Sequence, residues 1–177
     1  FSSLKTQSEF LDGGLGLLPK IPQWENYIRA WTVAHFNTYF LNSVIISVAC
    51  VALVVIICSL MGYAVARVNF PGKKIIMAVY VATIFVPKGY TIVPVYLLIK
   101  WLGLTDTRAG VVLVESSGEH IIFILLLIAY FAKIPKELEE SAEIDGCGFL
   151  QTFFRIMLPL AKPVIATIAI IQFIHAW

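Results

Sequence analysis

The sequence predicts an all-α integral membrane protein, a polytopic helical bundle. Three observations carry that prediction. Of 177 residues, 59% are hydrophobic and 14% charged, with a formal net charge of +2. The mean hydropathy is +0.87. Residues 44–66 run for 23 positions without a charge, and a spanning helix needs about 20. Soluble domains carry about 25% charged residues, and disordered chains are charge-rich and apolar-poor, so neither class fits. A charge of +2 with no dense Lys/Arg face offers nothing to nucleic acid. Cys50, Cys58 and Cys147 have neither a disulfide nor a metal spacing, and read as reduced thiols used as small hydrophobes.

Residues 1–43 precede the first apolar run. Within them, Trp24, Tyr27 and Trp31 resemble an interfacial aromatic group on a short helix beginning near Pro22. Spans are expected at about 44–66, 75–99, 109–132 and 163–177. The second is interrupted by Pro87, Lys88, Gly89 and Pro94, and the third by Glu115, Glu119 and His120. Such breaks are tolerated where neighbouring helices or cavities satisfy the freed backbone. The chain opens on Phe1 rather than Met and stops at Trp177 inside an apolar run. Fifteen residues of helix reach only about 22 Å of the roughly 30 Å core. A fragment lacking spans at both ends is therefore expected.

The connections set the orientation. Arg67, Lys73 and Lys74 follow the first span, and Lys133, Lys136, Arg155 and Lys162 follow the third. Only Lys100 and Arg108 flank the loop between the second and third. The excess places the first and third connections in the cytoplasm and residues 1–43 outside.

The third connection, 133–162, is far longer than a joint requires. Pro135 suits a first turn, and Glu137, Glu139 and Glu140 stand where a helix start favours negative charge. Asp145-Gly146 signals a turn. Phe149, Phe153, Ile156 and Leu160 then repeat at helical spacing. The expected shape is helix, sharp turn, amphipathic helix, suited to docking on a cytoplasmic partner or the inner leaflet.

Glu140-Ser141-Ala142, then Gly146, then Ile156, Leu158 and Pro159 resemble the EAA loop of permease subunits of binding-protein-dependent ABC importers. Ser141 departs from the pattern by one hydroxyl. Tyr39-Phe40-Leu41-Asn42-Ser43, Ala64-Val65-Ala66-Arg67-Val68-Asn69-Phe70-Pro71-Gly72-Lys73, Leu102-Gly103-Leu104-Thr105-Asp106-Thr107 and Ile134-Pro135-Lys136-Glu137-Leu138-Glu139-Glu140 extend the resemblance to the second permease subunit of the maltose and multiple-sugar type. The resemblance implies a MetI-like bundle of six spans, of which about four are present. Residues 1–43 become an external segment, and 44–177 the permease domain with a cytoplasmic coupling loop at 133–162. It also implies a second permease as heterodimer partner, a cytoplasmic ATPase dimer, an extracytoplasmic solute-binding protein and a sugar or oligosaccharide, in a prokaryotic inner membrane. In that setting Glu140, Ser141, Ala142, Asp145, Gly146, Ile156, Leu158 and Pro159 serve ATPase coupling. Small Ser141 and Ala142 permit close approach, Gly146 the turn, and Glu140 offers a carboxylate. The phosphate-cradling Gly-x-x-x-x-Gly-Lys-Ser/Thr is missing from the sequence. No catalytic residue is expected, no cofactor or metal on this chain, and ATP with Mg on the partner ATPase.

Charges inside a membrane cost roughly 2.5–3.5 kcal/mol on insertion scales and mark functional candidates. Lys88 and Glu119 are each expected about 15–17 Å below the outer surface, and so at matching depth, with Glu115 one turn from Glu119. Lys88, Glu115, Glu119 and Tyr90 are the candidates for a translocation path. Two other readings remain open: a permease for another solute, such as a glycerol phosphate or an amino acid, and a stand-alone carrier with Lys88, Glu115, Glu119 and His120 as an ion relay. A membrane enzyme built on His120 and Glu119 lacks a second His or Cys ligand nearby.

Overall fold

A computed structural model describes residues 2–11, 18–85, 91–117 and 120–177. Lys88, Tyr90 and Glu119 lie outside the described residues. So do the expected meeting of Lys88 with Glu119 and the break at Pro87-Lys88-Gly89. All regular elements among the described residues are helical.

The chain divides into two compact units, Phe1–Val44 and Ile45–Trp177. The first holds a tight turn at Ser2–Leu4, α1 (Gln7–Leu11), α2 (Glu25–Thr32) and the opening residues of α3 (Phe36–Arg67). Tyr27 and Ser3 share a hydroxyl hydrogen bond of 2.8 Å, and Asn26 Nδ2 donates to the Ser3 carbonyl at 3.0 Å. Trp31, Phe36 and Phe40 form a ring cluster with centroids 5.6–6.3 Å apart. Trp24, Tyr27 and Trp31 are all more than half exposed.

The second unit continues α3 and adds α4 (Lys73–Ala82), α5 (Ile92–Trp101), α6 (Arg108–Ser116), α7 (Ile121–Lys133), α8 (Glu137–Ile144), α9 (Phe149–Thr152), a wide π turn at Phe153–Met157, α10 (Leu158–Leu160) and α11 (Lys162–Ala176). Helix α3 has 32 residues, about 48 Å at 1.5 Å each. It starts before the apolar run at 44–66, because backbone hydrogen bonding does not stop where hydrophobicity does. Pro94 falls in the first turn of α5, where its missing N–H costs no helical bond. Among the described residues, α3 alone is long and apolar enough to cross a membrane. Up to three spans result if α6 with α7, and Phe149–Leu160 with α11, each count as one.

Mostly small side chains line the buried stripe of α3, Ser47, Cys50, Val54, Cys58, Ser59 and Gly62, with Tyr63 as the large exception. The stripe on α7 is bulkier, with Ile121, Ile124, Leu127 and Phe131. The two interlock so closely that a Cβ built on Gly62 would lie 2.7 Å from the Leu127 Cβ. Val54, Cys58, Tyr63, Ile124, Leu127 and Phe131 form one core with Phe153, Met157, Ala161 and Ile168. Loop 133–162 is thus packed against the helices rather than projecting from them.

Phe149–Leu160 and α11 are bent by 79°. Two prolines account for the change in course. Pro159 has no N–H to give Arg155, and the preceding turn widens, with the Leu158 N–H reaching Phe153 O. The Pro163 ring in turn excludes a continuous helix past residue 159. Tyr130 of α7 donates to the Leu160 carbonyl at 2.9 Å and holds the bend.

Candidate functional site

Helix α8 opens with Glu137, Glu139 and Glu140 in its first turn, where the positive end of the helix dipole favours them. It closes on Gly146. Gly146 has φ 80°, which a residue with a Cβ adopts only with strain. Its N–H donates to Glu143 O at 2.9 Å and the Cys147 N–H to Ala142 O at 2.8 Å. These are the paired bonds of a Schellman cap. The cap turns the chain back so that Ile144, Asp145 and Gly146 form an exposed apex, with Ile144 87% exposed.

Within the motif the small residues divide. Ser141 is exposed, and its Oγ donates to the Glu137 carbonyl at 2.7 Å. Ala142 is 3% exposed, so its side chain packs inside this chain. Glu140 is exposed beside Ser141. Leu138, Leu150 and Phe154 add exposed apolar surface to the loop.

In the second half of the loop, burial follows the stripe predicted from spacing only in part. Phe153, Met157 and Ala161 are at most 1% exposed, whereas Phe149 and Leu160 are nearly half exposed and Ile156 is half-buried. The π turn inserts extra rotation, so burial recurs every four residues and Met157 takes the place expected of Ile156. Leu158 is half-buried and Pro159 exposed.

The end of α3 supplies a partner for the loop. Arg67 Nε lies 2.9 Å from Glu139 Oε1, with the side chains 8% and 21% exposed. Arg67 Nη2 donates to the Ile134 carbonyl at 2.6 Å. One turn back, Tyr63 stacks on Phe149 at 4.7 Å and packs on Phe153 at 5.3 Å. In the sequence Arg67 is legible only as an orienting charge and Glu139 only as a helix-start acid. No spacing links them.

Of the path candidates, Glu115 is described. Its Oε2 lies 3.9 Å from His175 Nδ1 on α11. The sequence gives no sign of His175 as its neighbour. One turn before His175, Gln172 is 1% exposed and its Nε2 has no hydrogen-bond partner. Three residues before Glu115, the Val112 carbonyl accepts a hydrogen bond from Cys50 Sγ of α3 at 3.8 Å. A separate groove between α3 and α11, about 430 Å³, is lined wholly by apolar residues including Val48, Val51, Phe173 and Ile174, and offers a hydroxylated solute nothing to bond. Among the described residues, no three His, Cys, Asp or Glu converge to hold a metal.

A family model described as binding-protein-dependent transport system inner membrane component matches residues 59–177. A diacetylchitobiose uptake system permease protein of Streptomyces coelicolor is 36% identical over 99% of this chain and 58% of its own. A trehalose transport system permease protein of Mycobacterium tuberculosis is 32% identical over 99% of this chain and 63% of its own. A crystal structure of a bacterial ABC transporter involved in the import of the acidic polysaccharide alginate contains a chain that superimposes with a TM-score of 0.84. That chain is 27% identical, with 99% of this chain and 61% of that one covered. The present chain thus spans about three fifths of these relatives.

Proposed function

The chain belongs to the family of binding-protein-dependent transport system inner membrane components, and from that premise we propose that it serves as a permease subunit of an ABC importer for a sugar or oligosaccharide. The capped apex of loop 133–162 carries the reading. A loop that only joined two helices would not need an isoleucine exposed at its apex, a Schellman cap at Gly146 and an aromatic anchor at Tyr63. In this reading the loop lies in the cytoplasm and seats in a separate ATPase dimer, which holds ATP and Mg. Glu140, Ile144 and Asp145 meet that partner directly. Gly146 shapes the tip, while Ala142, Ile156, Leu158 and Pro159 support it from behind.

The remaining partners are a second permease across the bilayer and an external solute-binding protein. The sugar assignment is supported by the solutes of the relatives: diacetylchitobiose, trehalose and alginate. Glu115 with His175, and Lys88, Glu119 and Tyr90, are the candidates for lining the path. A carboxylate and an imidazole together accept and donate hydrogen bonds, which suits a polyhydroxylated solute.

The test is purification of the full-length protein from gently solubilised native membranes, with identification of what accompanies it. A second permease and an ATPase subunit, both lost on Gly146→Val, are the expected companions. A chain that emerges alone would defeat the importer reading and favour a stand-alone carrier with Lys88, Glu115, Glu119 and His120 as its ion relay.

A further inference from the structure

Both halves of loop 133–162 are gripped by one face of one helix. Tyr63 and Arg67 are four residues apart on α3 and so lie on the same side. Tyr63, 2% exposed, packs against Phe149 and Phe153 after the turn, with ring centroids 4.7 and 5.3 Å away. Arg67 engages the part before the turn twice, through Glu139 Oε1 at 2.9 Å and the Ile134 carbonyl at 2.6 Å. Only 8% of the Arg67 side chain and 21% of Glu139 remain exposed. A charge pair so far withdrawn from water does not separate readily, because each partner would be left uncompensated. Helix α3 is unbroken from Phe36 to Arg67, so a displacement at its last turn moves the whole rod.

We propose that Arg67 and Glu139 are positioning residues that carry motion of the loop into α3. They couple the ATPase stroke to the rearrangement of the path. The inference rests on the importer reading. It differs from docking, because Glu139 faces α3 while the docking tip is Ile144-Asp145-Gly146. A plain brace would hold the fold without setting how much solute moves per ATP.

The experiment uses the complete transporter in proteoliposomes, with its partner permease, ATPase and loaded binding protein. It reads subunit stoichiometry, ATP hydrolysis and solute uptake together. Glu139→Gln is expected to assemble with wild-type stoichiometry and to lower solute moved per ATP by about tenfold, the size of an ordinary coupling free energy. Glu139→Asp keeps the charge and is expected to retain most of the ratio. The reversed pair, Arg67→Glu with Glu139→Arg, is expected to recover part of what Arg67→Glu alone loses. A wild-type ratio in Glu139→Gln overturns the proposal. So does loss of assembly in that variant, which marks a brace, or a Glu139→Asp variant as impaired as Glu139→Gln. A wild-type chain that never associates with an ATPase would instead remove the importer reading itself.

Discussion

His175 Nδ1 on α11 stands 3.9 Å from Glu115 Oε2 on α6, in two helices that are otherwise almost wholly apolar. Under the proposed topology the two helices enter the membrane from opposite sides. His175 then lies about 20 Å along α11 from Lys162, and Glu115 about 10 Å along α6 from Arg108. Together these lengths match a hydrocarbon core of about 30 Å, so the pair meets at one depth in the outer half of the bundle. Ionisable groups placed there face a bundle interior or a watery cavity, and Gln172 one turn below adds a buried, unbonded amide.

Replacing His175 by Ala in the complete transporter is therefore expected to raise the solute concentration for half-maximal uptake by roughly tenfold. That is the effect of losing one hydrogen bond to a charged group, about 1.5 kcal/mol. Glu115→Gln should do the same, while ATP consumed per solute stays unchanged. Normal half-saturation in both variants would remove the pair from the path.

Gly146 makes a sharper test, because its constraint is purely conformational. Nothing lies within 4 Å of a Cβ built there, yet φ is 80°. A β-branched residue meets no clash but must leave the left-handed region, at a cost of about 1–2 kcal/mol, and so breaks the cap. Asn tolerates that region. Gly146→Asn should retain the ATPase on co-purification and Gly146→Val should lose it. Equal retention would separate the glycine from coupling.

These two sites differ in how far the sequence reveals them. The turn at Gly146 is local: its bonds join residues three and five positions apart, so Asp145-Gly146 and the acids before it announce the helix and its end. The helices α3 and α7 are legible in the same way, as apolar runs, although which of their faces is buried is not. The meetings of Arg67 with Glu139 and of Glu115 with His175 join helices distant in the chain. Nothing in the residue pattern says which helices become neighbours. The buried face of the second half of the loop departs from ideal helical spacing for a local reason. Pro159 is visible in the sequence, but the widened turn it imposes at Phe153–Met157 shifts the apolar stripe away from ideal helical spacing.

Burial predicts opposite outcomes for adjacent phenylalanines. Phe153 is 1% exposed and Phe154 51%. Phe153→Ala should lower the stability of the purified protein by about 3–5 kcal/mol, the ordinary cost of emptying a buried aromatic site. Phe154→Ala, at the surface, should stay within about 0.5 kcal/mol. Thermal unfolding in detergent followed by circular dichroism distinguishes them. Similar losses would mean that Phe153 does not anchor the buried face of the loop.

Gly62 and Leu127 test the contact on which the bundle closes. A side chain at 62 would meet the Leu127 Cβ at 2.7 Å and the Ile128 backbone nitrogen at 3.5 Å. Small residues at such crossings let helices approach closely in a membrane. Gly62→Ala is expected to cost about 1–3 kcal/mol by forcing α3 and α7 apart. The obstacle is the Leu127 Cβ, not the flexible end of the side chain, so Leu127→Ala keeps the offending atom and should not relieve the strain. The double variant should instead be less stable than either single one, because Leu127 is itself fully buried and its truncation leaves a cavity. If Leu127→Ala restored the stability lost in Gly62→Ala, the helices would be held apart by side-chain bulk rather than by backbone proximity.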